Sequence, residues 1–378
     1  MTARRGLVAA VAALVLTATF AAALDRAELP KAFNLAPAGA KPPRRLVGVQ
    51  LHPFFINQTR ATIARELNFA RAAGANAIRI DLPWSSLELR GPGRIDQGFA
   101  RRVDNFLNAA RAHRLAVVAV FHATPCWAAA APRELEQGCR GRWWDRGVTA
   151  YPPGNPRRYG VAAAYVARRW GDRLAALQVW NEPNNPKFFV SDQPATDYGA
   201  LLRAAYPRIK DVRPRLEVLG GSFAHAERGF LADLFDKGRI AGNYDGIAWH
   251  PYTAPNSPRA RAPRESSELS FRDGAAALRE VMAAHGDRNP ELWATEAGAS
   301  TCNPAANKDC VSMARQARWI RDYVQVARMI PGLRALIIYN LRDKGTNPNA
   351  IEDGFGLIRH NFSPKPSFGA FQRAVAGR

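Results

Sequence analysis

The sequence predicts an α/β fold, a (β/α)8 barrel of the TIM type. Short apolar, β-branched runs alternate with amphipathic stretches of helical period, which is the pattern of repeated βαβ units around a parallel sheet. Eight such strand-then-helix units follow one another, enough to close a barrel. The chain has 378 residues, 47% of them hydrophobic, which suffices for a large core. No G-x-G-x-x-G or P-loop turn follows an early strand, as a doubly wound open sheet would require.

The elements follow in order. Leu46–Leu51 is the first strand, with a helix over 59–73. Ala77–Asp81 is the second, with a helix over 99–113. Ala116–Phe121 is the third, followed by a long stretch, 123–156, and a helix over 157–170. Leu177–Trp180 is the fourth, with a helix over 197–212. Glu217–Gly220 is the fifth, with a helix over 229–237. Gly246–His250 is the sixth, with a helix over 271–285. Glu291–Glu296 is the seventh, with a helix over 311–329. Ala335–Tyr339 is the eighth, and the last helix runs over 368–375. Gly74, Gly171, Gly286 and Pro331 stand where helices should stop.

The barrel is expected to occupy residues 46–378. Arg4 and Arg5 precede an apolar run, Gly6 to Phe20, which ends in Ala21-Ala22-Ala23. That is the pattern of a secretory signal over 1–23, directing the chain to the periplasm or medium. An uncleaved anchor is the alternative. A Pro- and Ala-rich leader over 24–45 follows. No later segment is long and apolar enough to span a bilayer. The four cysteines form two close pairs, Cys126/Cys139 and Cys302/Cys310. In an exported chain local disulfides are favoured over a zinc site, since neither pair has C-x-x-C spacing or a nearby histidine.

The formal charge is +21, or +19 without Arg4 and Arg5 (21 − 2). An anionic glycan as substrate, anchorage to anionic cell-surface polymers, and plain compositional bias all fit. Only eight of the 53 basic residues are Lys, which favours the last. Nucleic acid is excluded as a partner, because the basic residues are scattered and no binding motif is present. A monomer is expected.

In TIM barrels the C-terminal ends of the strands face the active site. Those ends carry Arg79 and Asp81 with Trp84 beyond, then His122, Asn181-Glu182-Pro183, Trp249-His250-Pro251-Tyr252, Thr295-Glu296 and Tyr339-Asn340. Glycoside hydrolysis needs two carboxyl groups flanking one bond, one protonated and one ionised. Glu182 and Glu296 lie at the mouths of strands on opposite sides of a narrow barrel, and Arg79 is the cation expected to keep one of them ionised. Other acids, such as Glu88, Glu134, Glu217 and Glu280, are expected to be solvated. The 123–156 stretch holds Trp127, Trp143, Trp144 and Tyr151, and reads either as one wall of a saccharide cleft or as core for the loop itself.

The Asn181-Glu182-Pro183 run, Trp-x-Thr-Glu ending at Glu296, His250-Pro251-Tyr252 and the Phe355-Gly356-Leu357…Lys365-Pro366 ending resemble glycoside hydrolase clan A. Within it, the bacterial family 39-like and family 5-like enzymes are most similar. The resemblance implies retaining hydrolysis of a β-linked poly- or oligosaccharide, with a bacterial exopolysaccharide among the candidates, and no metal or other cofactor. It implies Glu182 as acid/base, Glu296 as nucleophile, Asn181 on the sugar 2-hydroxyl, Tyr252 orienting the nucleophile and His122 touching the sugar. Arg79, His250, Trp84, Trp127 and Trp143 complete the expected binding set. Tyr339 stands where many members place a Trp as the floor of the cleavage subsite. Transglycosylation on the same two residues, and an idle carbohydrate-binding barrel, are the alternatives.

Overall fold

The computed structural model describes residues 45–54 and 58–377. The expected signal segment, and the leader apart from Arg45, lie outside the described residues. Eight parallel strands close into a barrel in sequential order. They are β1 (Leu46–Leu51), β2 (Ala77–Pro83), β3 (Ala116–His122), β4 (Ala176–Val179), β5 (Glu217–Ala224), β6 (Gly246–His250), β7 (Leu292–Ala297) and β8 (Leu333–Ile338). One long helix follows each: α1 (Arg60–Ala72), α2 (Gln97–Ala112), α3 (Pro156–Trp170), α4 (Pro194–Val212), α5 (Arg228–Asp236), α6 (Phe271–Ala284), α7 (Met313–Ala327) and α8 (Pro366–Val375). All eight expected units are present, and the barrel expected from the sequence is the one observed. Among the described residues no helix is long and apolar enough to cross a membrane.

Local chemistry explains the boundaries. The Thr59 side chain accepts from the Thr62 N–H and so caps α1 instead of belonging to it. Ser312 does the same for the Arg315 N–H, which moves the start of α7 from the expected 311 to Met313. β5 runs four residues past its expected end at Gly220. Gly221 (φ 78°) and Ser222 (φ 61°) form a bulge that shifts the register against β6, and the strand resumes at Phe223. The two glycines look like a stop in sequence and are instead a kink.

Alternation along each strand sorts side chains between two cores. On β2, Ile78, Ile80 and Leu82 belong to the large core between sheet and helices. Arg79 is paired in register with Gln50 and Val118. Val118 joins Ala176, Leu219, Ala248, Trp293 and Ala335 in a separate small cluster inside the barrel. The barrel floor is therefore apolar, and Arg79 projects inward above it with its side chain 1% exposed.

Both cysteine pairs are disulfides, with Cα–Cα distances of 5.6 Å for Cys126–Cys139 and 5.1 Å for Cys302–Cys310. Each staples a loop that follows a strand. Replacing Cys126 and Cys139 together with Ala is expected to cost about 3 kcal/mol, since the bond closes a short loop in the unfolded chain. A urea titration reads this as a lower midpoint, with a slope equal to or somewhat steeper than that of the crosslinked protein because the uncrosslinked unfolded chain exposes more surface. An unchanged midpoint would mean the loop contributes nothing to global stability.

Candidate active site

A cavity of about 640 Å³ opens at the C-terminal end of the barrel. Its floor is built from strand ends and its walls from the loops after β4 to β8. Glu182 and Glu296 both line it.

Glu182 follows β4. Trp180 (φ 66°) and Glu182 itself (φ 43°) take left-handed backbone, an uncommon conformation for such residues. The turn is tied across to β5 by the Glu182 N–H, which donates to the Ser222 carbonyl at 2.8 Å. This aims the carboxylate over the barrel axis. Its Oε1 lies 2.7 Å from His250 Nδ1, and its Oε2 accepts from Asn185 Nδ2 at 2.9 Å.

Glu296, near the end of β7, has a different setting. Its Oε1 accepts from Arg79 Nη1 at 2.5 Å, and its Oε2 accepts from Tyr252 Oη at 2.7 Å. Burial pushes its pKa up, but the charges of His250 and Arg79 and the Tyr252 hydrogen bond outweigh that and hold it below the usual carboxylate range. Glu296 is thus kept ionised. Burial and the adjacent Glu296 charge push the Tyr252 phenol well up, so it stays a donor.

Arg79 holds three groups at once. Besides Glu296, it donates to Gln50 Oε1 (2.8 Å) and to Asn181 Oδ1 (2.8 Å). His250 lies between the two glutamates, with Nε2 3.7 Å from Glu296 Oε1. One oxygen of each glutamate and one nitrogen of His250 all lie within 4.8 Å of one another. Such a group has metal-ligand spacing. Here, however, Arg79 already neutralises Glu296 Oε1, and a divalent ion would face that fixed cation. The donor set suits proton transfer better.

The expected residues fall into three groups. Glu182, Glu296, His122, Asn181, Tyr252 and Tyr339 come together around the cavity. Arg79 and His250, expected to contact substrate, are 1% and 0% exposed and sit beneath it, where they hold the glutamates. The tryptophans require correction. Trp84 is fully buried against Phe121, Trp127 and Tyr159, because the chain leaves β2 at Pro83 and the indole turns into the helix layer. Trp143 packs with Cys126 and Val148 as core for its own loop. Trp127 packs against the main core and donates to the Glu88 carbonyl. No residue of 123–156 lines the cavity. Glu88, expected to be solvated, is buried and accepts from the Trp84 indole at 2.8 Å.

The arginines of that loop are also elsewhere. Arg142 pairs with Asp145 at the surface, and Arg146 donates to three loop carbonyls. The cavity's charged side chains are mostly acids: Asp81, Asp309 and Glu352 besides the two glutamates, against Lys187 and Lys344. Lys344 is engaged with Glu352 at 3.0 Å, and Glu352 also accepts from Tyr339 Oη at 2.9 Å.

His52, Asn185, His225, Lys344 and Glu352 join the site without having been singled out in the sequence. His52 follows β1 directly, so the strand-end rule that found His122 applies to it equally. Lys344 and Glu352 come from an aperiodic loop after β8 and carry no such signal.

No family model matches the chain, and no curated protein matches it. Solved structures do. A family 39 glycoside hydrolase from the gut symbiont Bacteroides cellulosilyticus WH2 superposes with a TM-score of 0.70 at 22% identity, over 88% of this chain and 64% of that one. An exo-beta-1,4-mannosidase from an Opitutaceae bacterium gives 0.63 at 15% identity, over 88% and 59%. A GH5_18 protein from Streptomyces cattleya in complex with GlcNAc gives 0.61 at 13%, over 88% and 80%. This chain therefore spans less than two thirds of the first two. At these identities the likeness establishes the fold alone, a closed barrel of eight parallel strands.

Proposed function

We propose that this protein is a retaining β-glycoside hydrolase, with Glu182 as general acid/base and Glu296 as nucleophile. The observation that carries the reading is the facing pair of carboxylates with unlike partners. One oxygen of each comes within 4.8 Å of the other, a close approach that favours the roughly 5–5.5 Å carboxyl separation of retaining enzymes over the roughly 6.5 Å or more that an inverting enzyme needs for its water. The similar solved structures named as a family 39 glycoside hydrolase and a mannosidase agree with it.

In the first step Glu296 Oε attacks the anomeric carbon as the bond to the leaving oxygen breaks, and Glu182 gives that oxygen its proton. The product is a glycosyl ester of Glu296. In the second, Glu182 takes a proton from water, the water oxygen attacks the same carbon, and the ester bond breaks. Tyr252 and Arg79 hold both Glu296 oxygens, fixing the line of attack. Asn181 gives its Oδ1 to Arg79, which leaves its amide N–H groups to bind the sugar 2-hydroxyl. Tyr339 forms the floor in place of a Trp.

The substrate in this reading is a β-linked poly- or oligosaccharide outside the cytoplasm, an exopolysaccharide among them. The two disulfides suit an oxidising compartment. The net positive charge is assigned to composition and not to the cleft.

Proton NMR during hydrolysis of an aryl β-glycoside tests the mechanism. The β-anomer of the free sugar is expected first, with the α-anomer growing only by mutarotation. An α-anomer formed first would establish inversion and remove Glu296 from the nucleophile's role.

A further inference from the structure

Asp81 is the cavity's third central acid, and the hydrolytic mechanism makes no use of it. It stands on β2, two residues after Arg79, and lines the cavity with its side chain 15% exposed. Alternation puts it on the same inward face as Arg79. Its Oδ2 accepts from Gln50 Nε2 at 3.1 Å and lies 3.1 Å from His52 Nδ1. Its Oδ1 faces His122 Nε2 across 3.6 Å, longer than a hydrogen bond. One oxygen is thus anchored, while the other, with His122 as its loose neighbour, keeps lone-pair capacity for a hydroxyl that arrives from the cavity. Burial raises its carboxyl, but His122 and His52 outweigh this and keep it well below the usual carboxylate range.

The corner is closed by Tyr339, whose ring meets the His52 ring edge-on at 5.7 Å. Asp81 lines the same cavity as Glu296 and Tyr339, so it lies beside the ground where the reacting sugar sits. No arginine lines the cavity to offset it, for Arg79 is behind the carboxylates at 1% exposure; of the two lining lysines, Lys344 is paired with Glu352 and the charge of Lys187 also acts on Glu352.

We propose that Asp81, held by His52 and flanked by His122, determines specificity in the sugar-binding corner: it binds hydroxyls of a neutral sugar and rejects the corresponding uronic acid. An ionised carboxylate accepts from sugar hydroxyls, His52 holds its far oxygen in place, and His122 lines the cavity beside it. A sugar carboxylate in the same corner would meet a fixed like charge with no guanidinium to receive it. This rests on the glycosidase reading and names its substrate class.

The experiment compares matched pairs: aryl β-glucoside with β-glucuronide, and aryl β-galactoside with β-galacturonide, on the full chain and on Asp81→Asn. Calorimetry with neutral iminosugars of gluco, galacto and manno configuration, and with their carboxylated analogues, reads the pocket without requiring turnover. The intact protein should favour the neutral partner by about a hundredfold or more, as several kcal/mol of like-charge repulsion implies. Asp81→Asn should lose roughly tenfold to a hundredfold on neutral ligands, the worth of a hydrogen bond to a charged group, while the neutral-to-acidic ratio falls towards one. A ratio unchanged by the substitution, or an intact protein that prefers the uronide, overturns the proposal. Selective binding of neutral iminosugars without hydrolysis of any glycoside would overturn the glycosidase reading and leave Asp81's role standing. No binding of any analogue would overturn both. Should Asp81→Asn not fold, the intact protein's own preference and Asp81→Ser decide.

Discussion

Glu296→Gln is expected to reduce turnover of any glycoside to background, with no glycosyl-enzyme detectable by mass spectrometry. The amide keeps the shape of the side chain but cannot attack the anomeric carbon, and no neighbouring group is placed to substitute for it. Glu182→Ala should behave differently. Loss of a general acid or base costs roughly 10²- to 10⁴-fold, but the cost falls on the step that needs the proton. With an activated aryl leaving group the first step needs little assistance, so the ester on Glu296 should accumulate and be seen as a burst. Small anions should then reach the anomeric carbon through the space left by Glu182. Azide is expected to restore turnover and to yield a β-glycosyl azide. Equal losses in the two variants, with no rescue in either, would leave the assignment of roles without support. The contrast follows from geometry: Glu296 is clamped by Arg79 at 2.5 Å and Tyr252 at 2.7 Å, whereas Glu182 meets only His250 and the Asn185 amide.

The barrel was legible because its strands are covered on both sides. β3 reads Ala-Val-Val-Ala-Val-Phe-His and is buried through its centre, so the run is apolar on both alternating faces until the polar residue at its end. That end is the active-site rim, which is why Glu182, Glu296, Asn181, His122 and Tyr252 could be placed from strand boundaries alone. The errors share another cause. An indole suits a sugar face and a protein core equally, and sequence does not say which it meets. Trp84 and Trp143 went to core because of turns at Pro83 and of the Cys126–Cys139 loop, both tertiary facts. Glu88 misled for the same reason, being buried only because the Trp84 indole and the Gly93 N–H reach it. The loop after β8 is held by Lys365, whose ammonium donates to Asp343, Thr301 and the Gly354 carbonyl. No periodicity announces a scaffold of that kind, and the placement of Lys344 and Glu352 depends on it.

Arg79→Met should alter both the pH profile and the stability, in linked ways. Among the described residues Arg79 supplies the permanent positive charge paired with Glu296, and it does so from inside the barrel. Without it, burial opposes ionisation with only His250 and Tyr252 to resist. An adjacent opposite charge shifts a carboxyl by about 1–3 pH units, so the acid limb of kcat/KM should move up by about that much. In the intact protein the folded pKa of Glu296 lies below its unfolded value. Its contribution to stability is therefore present above the unfolded pKa and is lost as pH falls through the folded one. In the variant that contribution shrinks or reverses. The stability gap between the two proteins should thus be widest near neutrality and narrow on acidification. Breaking a buried pair costs about 3–5 kcal/mol, and uptake of a proton by Glu296 limits that loss at low pH. Arg79→Lys should fall between the two, since one ammonium cannot span Glu296, Gln50 and Asn181 as the guanidinium does. Denaturant titrations at several pH values, set beside pH–rate profiles on one aryl glycoside, measure both effects. An acid limb that stays in place would show that Glu296 owes its ionisation to His250 and Tyr252 instead.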